Sequence, residues 1–544
     1  MRRQRYIAIT LVVLLVATVL VGCRTRSTGE GAKEPAQQVR RGGTVVIGYM
    51  EEPNTLDPHK TAAGAAYFVM SLISDPIVET DPQTGDFIPH LAKRWEVSGD
   101  GLEVTLYLRD DVKFHSGVPF TARALKATWD RAFDPKTKTV AASKMLGPVK
   151  EIIALDDYTL KLRMEKPFGP LFYGLSLGGY THAIDPTNLE KYGEDYGRHP
   201  ASTGPYKFEE WVTGQWITLV RNEDYKWGPS YASNQGPPYP EKIQIKYILE
   251  DATRVAALEA GEVHIAPVPP MEVDRFKNNP NFSVFSYLAS GVSMSLWFNQ
   301  NKPPLDDVRV RQALCYAIDK QAIIEGAAAG HARPAHGPLP PTIWGYWKGV
   351  EEISYKFDPE KSKALLEEAG WKLAPGDTVR KKDGKPLKLS LFIMPADAWR
   401  RTAELLQAQF RDVGVQVEIQ SYEWGTLMQY LSEGRHDMNL MGYGYGDPDI
   451  LYLALHSSQA GSGTNWCFVR DPDIDAAVAG QRNTVLPEER LRYAAEAQRL
   501  VVERAVWAPI YISENYVAVN KKVQGFKLNF RGTWLLHDIW LKED

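Results

Sequence analysis

Between Leu387 and Tyr443 the chain alternates strand and helix, and that pattern restricts the fold more than any other feature. Leu387 to Ile393 is an apolar run of strand length. Trp399, Ala403, Leu406, Phe410 and Val413 then recur at spacings of 4, 3, 4 and 3, one face of a helix. Val415 to Ile419 reads as a second strand, Trp424 to Glu433 as a second helix and Asp437 to Tyr443 as a third strand. A β-α-β-α-β succession predicts a mostly parallel sheet with right-handed crossovers. Ligands of such sheets sit beyond the carboxyl ends of the strands, where Gly444-Tyr445-Gly446-Asp447-Pro448-Asp449 follows.

The first half reads differently. Thr44 to Tyr49 (TVVIGY) is a buried strand, and the two prolines of Glu52 to Pro58 make the next stretch a loop. A helix is predicted from about Lys60 to Ile73. Glu103 to Leu108 and Tyr158 to Met164 alternate apolar and polar residues, so this part is read as antiparallel. The whole is α/β, and 544 residues correspond to two to four domains. The glycines and prolines fall between elements, as in Gly236-Pro237-Pro238 and Pro338-Leu339-Pro340-Pro341, and no fixed-period repeat occurs.

The start of the chain reads as an address. Arg2, Arg3 and Arg5 precede an uncharged run from Ile7 to Val21, too short for an ordinary membrane span, then Gly22 and Cys23. Leu20-Val21-Gly22-Cys23 resembles the lipobox of bacterial lipoproteins, which places a signal peptide at 1–22 and lipid on Cys23. More than one acyl chain is needed for a stable hold. Residues 24–42 lack any apolar period and are expected to form a flexible tether reaching about 25 Å. No later run approaches a membrane span. Cys315 and Cys467 remain and are expected to be free thiols; their spacing does not say whether they meet.

Most catalytic signatures are missing. The charge is -4, with neither a basic excess for nucleic acid nor an acidic tail. No HExxH, P-loop or CxxC occurs, so no metal or cofactor is expected and any ATP-driven step belongs to a partner. Gly442, Gly444 and Gly446 do not match a dinucleotide-binding loop. His264, inside Val263-His264-Ile265, is read as a structural histidine. Gly174-Leu175-Ser176-Leu177-Gly178 matches the nucleophile elbow of serine hydrolases, with Asp538 and His537 downstream. An elbow needs a strand before the serine and a helix after it. Pro167 and Pro170 precede, and Gly178-Gly179-Tyr180-Thr181 is a poor helix. A packed small-residue turn is preferred, with an anchored hydrolase kept as the remote alternative. The 15 tryptophans and 26 tyrosines fit either cores or a cavity lining.

Several motifs then occur in a recognisable order: Thr55-Leu56-Asp57-Pro58-His59, Pro89-His90-Leu91-Ala92, Leu108 to Ala122, Ser202-Thr203-Gly204-Pro205-Tyr206, Leu258 to Ala266, Asp306 to Leu314 and Leu365 to Trp371. From about residue 43 to the C-terminus the chain resembles family 5 of the bacterial extracellular solute-binding proteins, the peptide and nickel class of ABC importers. The resemblance implies a large two-lobe fold of the periplasmic-binding-protein type (type II) with the ligand cleft between lobes. Lobe I would comprise 43–75, 200–295 and 515–544, an inserted extra domain 76–199, and lobe II 296–514. It implies a monomeric binding protein, not an enzyme. Held by lipid on the extracytoplasmic (periplasmic) face of the cell membrane, it would pass ligand to ABC permease subunits served by a separate ATPase.

The cleft candidates come from the lobe edges. Tyr49 and Asn54 follow the first strand; Trp297 and Asn299 lie on the strand that enters lobe II in the family. Trp424 lies in a stretch that the family keeps near the site. Tyr443, Tyr445 and Asp447 end the strand at Asp437, and Asn465 and Trp466 follow the Gly461-Ser462-Gly463 turn. For each aromatic, core packing is the competing reading. Peptide-binding members hold the peptide backbone by strand-like hydrogen bonds, and some anchor its amino terminus with an aspartate. The loop to Asp447 is about two residues shorter here, and Ile393 and Met394 stand where dipeptide binders place an arginine. Both departures argue against a strict dipeptide binder, and the family resemblance makes oligopeptide the first ligand reading. Oligosaccharides stacked on Trp297, Trp424 and Trp466, and nickel chelates, are the alternatives.

Overall fold

The computed structural model describes residues 39–542. The expected signal peptide, Cys23 and most of the expected tether lie outside the described residues. The tether was expected to run to Gly42, but the Gly42 amide already donates to the Tyr239 carbonyl at 2.8 Å and Glu241 donates to Gly43. The body therefore starts a residue or two earlier than its apolar pattern.

One sheet organises most of the chain. Its order is 416–421, 388–393, 438–443, 292–298, 507–520, 265–268, 44–49, 242–247, 216–221 and 206–212, with 282–288 and 332–334 also paired to 507–520. Thr44–Tyr49 is the strand that its β-branched residues predict, parallel to Lys242–Tyr247. The predicted alternation after Leu387 is present as Lys388–Ile393, Asp397–Asp412, Gln416–Ser421, Trp424–Ser432 and Met438–Tyr443. The three strands are parallel, in the order third, first, second reading inward to outward.

Trp507–Asn520 is a 14-residue strand in the middle of this sheet. Its first residues pair with Val292–Phe298 and its last with Ile265–Val268 and Phe282–Leu288. The chain crosses between the two halves of the sheet along this strand and again at Ala289–Gly291. The crossings touch, since the Ala289 amide donates to the Ser513 carbonyl at 2.9 Å. Gly291 has φ +117°, and a Cβ there would lie 1.9 Å from the Tyr443 carbonyl oxygen, so no other residue fits.

A separate four-stranded antiparallel sheet, 92–97, 103–108, 159–164 and 149–154, lies within residues 92–164. Glu103–Leu108 pairs antiparallel with Thr159–Met164, as their alternation predicts. Its own core gathers Leu106, Trp129, Leu160 and Leu162, and takes in Tyr225 and Trp227 from later in the chain. Two buried carboxylates tie this region to the large sheet. Asp75 accepts hydrogen bonds from Tyr225 (2.7 Å), Trp227 (2.9 Å) and Thr203 (2.8 Å), and lies 3.1 Å from His90 Nε2. Burial opposes its charge, but these bonds outweigh it and lower its pKa. Asp57 pairs with Arg131 at 2.6 Å in the same way. The motifs at 55–59, 89–92 and 202–206 meet at these joints.

The first helix corrects one boundary. It spans Gly64–Ile73 rather than starting near Lys60. His59 N donates to Asp57 Oδ1, Thr61 Oγ1 to Asn54 Oδ1 and Ala63 N to Thr61 Oγ1, so polar side chains hold this stretch in turns. His264 Nδ1 accepts from the Val46 amide at 3.0 Å, the structural role read for it. Cys315 and Cys467 are both buried free thiols. Among the described residues no helix is long and apolar enough to cross a membrane.

Candidate functional site

A cavity of 790 Å³ opens where the two halves of the sheet and the 92–164 region face each other. The first half contributes Tyr67 from the helix Gly64–Ile73, Ser290 at the crossing, and Arg531. The second contributes Tyr443 to Gly446, beyond the carboxyl end of the strand Met438–Tyr443, together with Asp449 and Arg482. Residues 140–180 contribute Lys144, Met145, Tyr173 and Tyr180. The loop after the last strand of the β-α-β-α-β succession is thus the cavity wall, the place where parallel-sheet topology puts it.

The wall is an array of tyrosines. Tyr173 and Tyr445 lie 5.2 Å apart between ring centroids, and Tyr67 and Tyr180 5.4 Å. The Gly446 amide donates to the Tyr173 hydroxyl at 2.8 Å and Ser290 Oγ to the Tyr445 carbonyl at 3.3 Å, which fixes the loop on both sides. Burial pushes the Tyr173 hydroxyl up to about 12 and raises those of Tyr67 and Tyr180 as well. These hydroxyls stay protonated and polar without charge. Gly444 is exposed between Tyr443 and Tyr445, with nothing within 4 Å of where a Cβ would stand, so its backbone is open to a ligand.

Charge in the cavity is unevenly compensated. Asp449 is buried and lies 3.6 Å from Arg482; burial raises its pKa to about 6 against the opposing effect of Arg482. Glu79 accepts from the Thr80 amide, and burial raises its pKa. Lys144 and Arg531 have no acidic partner among the described residues, and Arg531 Nε is buried without a hydrogen-bond partner.

The other residues singled out from sequence are placed elsewhere. Trp297 is 1% exposed, stacked on Trp507 at 4.5 Å and beside Trp466 at 5.7 Å, inside the core of the second half. Tyr49 stacks on Phe68 at the edge of the first-half core. Asn54 holds the turn described above. Asn299 donates to the carbonyls of Gly434 and His436, and Asn465 to those of Leu455 and Val469. Trp424 is 46% exposed and lies off the cavity wall. Asp447 is 4% exposed and paired with the Arg490 guanidinium, its two carboxylate oxygens both engaged. Asp447 therefore cannot serve as the free anchor that its position in the loop suggested. Tyr443 and Tyr445 are the sequence candidates that line the cavity; Tyr67, Tyr173, Tyr180, Lys144 and Arg531 were missed. They come from distant segments, and only the turn-forming Asn529-Phe530-Arg531-Gly532-Thr533 carried a local signal.

Ser176 is not a nucleophile elbow. A helix, Leu171–Leu175, precedes it, and its hydroxyl donates back to the Tyr173 carbonyl at 2.8 Å. Asp538 accepts from the amides of Ser233 and Asn234 rather than from His537. No metal-binding cluster of three or more His, Cys, Asp or Glu exists among the described residues.

The architecture matches known proteins over nearly its full length. The dipeptide-binding protein of Escherichia coli K12 is 29% identical over 513 residues, covering 87% of this chain and 90% of that protein. The periplasmic binding protein DppA of Helicobacter pylori, solved with the peptide STSA, is 26% identical with a TM-score of 0.76, covering 93% of this chain and 99% of that one. NikA of Brucella suis, solved with Fe(III)-EDTA, is 26% identical with a TM-score of 0.80, covering 92% and 100%. These are two-lobe periplasmic binding proteins, and the same architecture holds here. Residues 86–463 match the middle region of the bacterial extracellular solute-binding proteins, family 5. With its cavity between the halves of one sheet and no catalytic constellation on the wall, the chain belongs to family 5 of the bacterial extracellular solute-binding proteins, the substrate-binding components of ABC importers.

Proposed function

We propose that the chain captures an oligopeptide in the tyrosine-lined cavity, closes on it by a hinge, and delivers it to an ABC importer. One observation carries the peptide reading: the exposed backbone at Gly444 follows directly from a sheet strand, inside a cavity walled by uncharged tyrosines. Such a wall suits strand-like hydrogen bonding to a peptide backbone and tolerates varied side chains. The H. pylori and E. coli relatives, by their names, take peptides, which agrees with it. The sugar reading loses its support, since Trp297 and Trp466 are core residues and Trp424 stands off the wall.

The hinge follows from the two crossings, at Ala289–Gly291 and along Trp507–Asn520. Residues before the first crossing and after the second form lobe I, those between form lobe II, and 76–199 is an inserted domain. A ligand touching both lobes only when they close biases the hinge. A micromolar ligand supplies about 8 kcal/mol, ample for an opening equilibrium of a few kcal/mol. Lipid on Cys23 would keep this monomeric body on the extracytoplasmic face of the membrane, within tether reach of its permease.

A thermal-shift panel tests the ligand. Peptides of two to eight residues, α- and β-linked oligosaccharides, and nickel chelates are compared on the full chain. A ligand at 100 times its dissociation constant stabilises by about 2.7 kcal/mol. A shift with peptides alone is expected; a shift with sugars or chelates alone overturns the peptide reading.

A further inference from the structure

We infer that the cavity holds its solute by a carboxylate, and that Arg531 is the residue that receives it. The inference deepens the peptide reading above and rests on it. Arg531 sits at the tip of a hairpin whose strands are Lys527–Leu528 and Trp534–Leu535. Asn529 Oδ1 accepts from the amides of both Arg531 and Thr533, closing the turn. Gly532 has φ +82°, and a Cβ there would lie 1.9 Å from the Tyr287 ring, so the turn is clamped in one conformation. The Phe530 amide donates to the Pro82 carbonyl. This turn presents the arginine to the cavity at little entropic cost, as preorganised recognition requires.

The guanidinium is held there without an ion pair. It lies 5.7 Å from the Tyr173 ring and 4.8 Å from the Phe530 ring, and its Nε is buried with no acceptor. A buried donor without a partner is costly, and a planar fork of donors fits a carboxylate or a phosphate bidentately, of which a peptide carries the carboxylate. Met145 Sδ lies 3.9 Å from the Tyr445 hydroxyl, and the neighbouring Lys144 on the same wall adds a second unpaired cation. The acidic groups do not balance these two. Asp447 is bound to Arg490, Asp449 faces Arg482, and the half-buried Glu79 accepts from the Thr80 amide. Glu79 is the one wall carboxylate without a cationic partner among the described residues, against the two unpaired cations, so a ligand carboxylate finds a free guanidinium.

The carboxylate could be a peptide C-terminus, an acidic side chain or a non-peptide acid, and the test separates these. Calorimetric titrations use pools of randomised tetrapeptides with free ends, C-terminally amidated, N-acetylated, lacking Asp and Glu, or both amidated and lacking Asp and Glu, plus a panel of small polycarboxylic acids. They are run on the full chain, on Arg531→Gln and on Arg531→Lys. N-acetylation should leave binding unchanged. Removing the carboxylate that is read should weaken it about 10- to 100-fold, with Arg531→Gln matching that loss and Arg531→Lys restoring part of it. Loss with amidation identifies the C-terminus; loss with the Asp- and Glu-free pool identifies a side chain. Tight binding by the unsubstituted chain of the pool that is both C-terminally amidated and free of Asp and Glu overturns the inference without help from any variant. So does unchanged binding of the free pool by Arg531→Gln. Arg531-dependent binding of polycarboxylic acids with no peptide bound would sink the peptide reading and leave the inference standing; binding of neither overturns both.

Discussion

Two aromatic clusters of this protein do opposite jobs. Trp297, Trp466 and Trp507 stack inside the second half, each nearly fully buried. Tyr67, Tyr173, Tyr180, Tyr443 and Tyr445 line the cavity. Indole gives the most apolar area, and large flat rings fill a core between sheet and helices. Phenol carries a hydroxyl that must meet a partner or water, so it belongs at a wall with one apolar side and one wet side. The contrast holds for these two clusters and not for every ring, since Tyr206 and Tyr225 are core residues too.

Four changes would break or sharpen that contrast. Trp297→Ala has the largest expected effect, a loss of about 3–5 kcal/mol in urea unfolding with ligand affinity of the folded protein kept. Lost affinity at full stability would put Trp297 in the site after all. Asp449→Asn comes next, and its effect depends on pH. Burial raises the Asp449 pKa to about 6, so folding favours its protonated form. Its contribution to stability is full below the ordinary value near 3.8 and is lost as pH rises through about 6. The asparagine variant should gain on the native chain across that window by no more than about 3 kcal/mol, at about 1.4 kcal/mol per pH unit. Arg482, Asp447 and Arg490 face the same carboxyl, so a flat difference between the two proteins would mean that Arg482 compensates burial fully. Tyr173→Phe strands the Gly446 amide and should cost about 1–3 kcal/mol, visible as a lower melting temperature and weaker ligand binding together. Trp424→Ala should change stability by less than about 0.5 kcal/mol and leave binding intact. A large loss of binding there would extend the site beyond the cavity wall.

The fold was legible where one face of an element is apolar. The β-branched run at Thr44–Tyr49 and the periodic face of Asp397–Asp412 declare themselves by spacing. The strand Trp507–Asn520 does not, because Ser513, Glu514 and Asn515 interrupt its apolar pattern where the chain passes from one half of the sheet to the other. Residues 60–63 were misread as helix because the turns there rest on side-chain acceptors rather than on apolar period. At the site, Tyr443 and Tyr445 followed from topology alone. Asp447 was misassigned because its partner Arg490 lies 43 positions away, a distance at which spacing says nothing. Arg531 carried only a turn signal, because what distinguishes it is the absence of an acidic neighbour in space.

The central strand has a consequence for how this chain comes to be folded. Val292–Phe298 in one half, and Ile265–Val268 with Phe282–Leu288 in the other, all await pairing with residues 507–520. Until that late segment arrives, both halves present unpaired inner edges, and neither core can close. Such high contact order makes folding slow, and open strand edges invite association with other chains. A nascent chain lacking its last forty residues is thus no partly finished binding protein but two incomplete sheets, and a holding chaperone has its longest task in the interval before Trp507 is made.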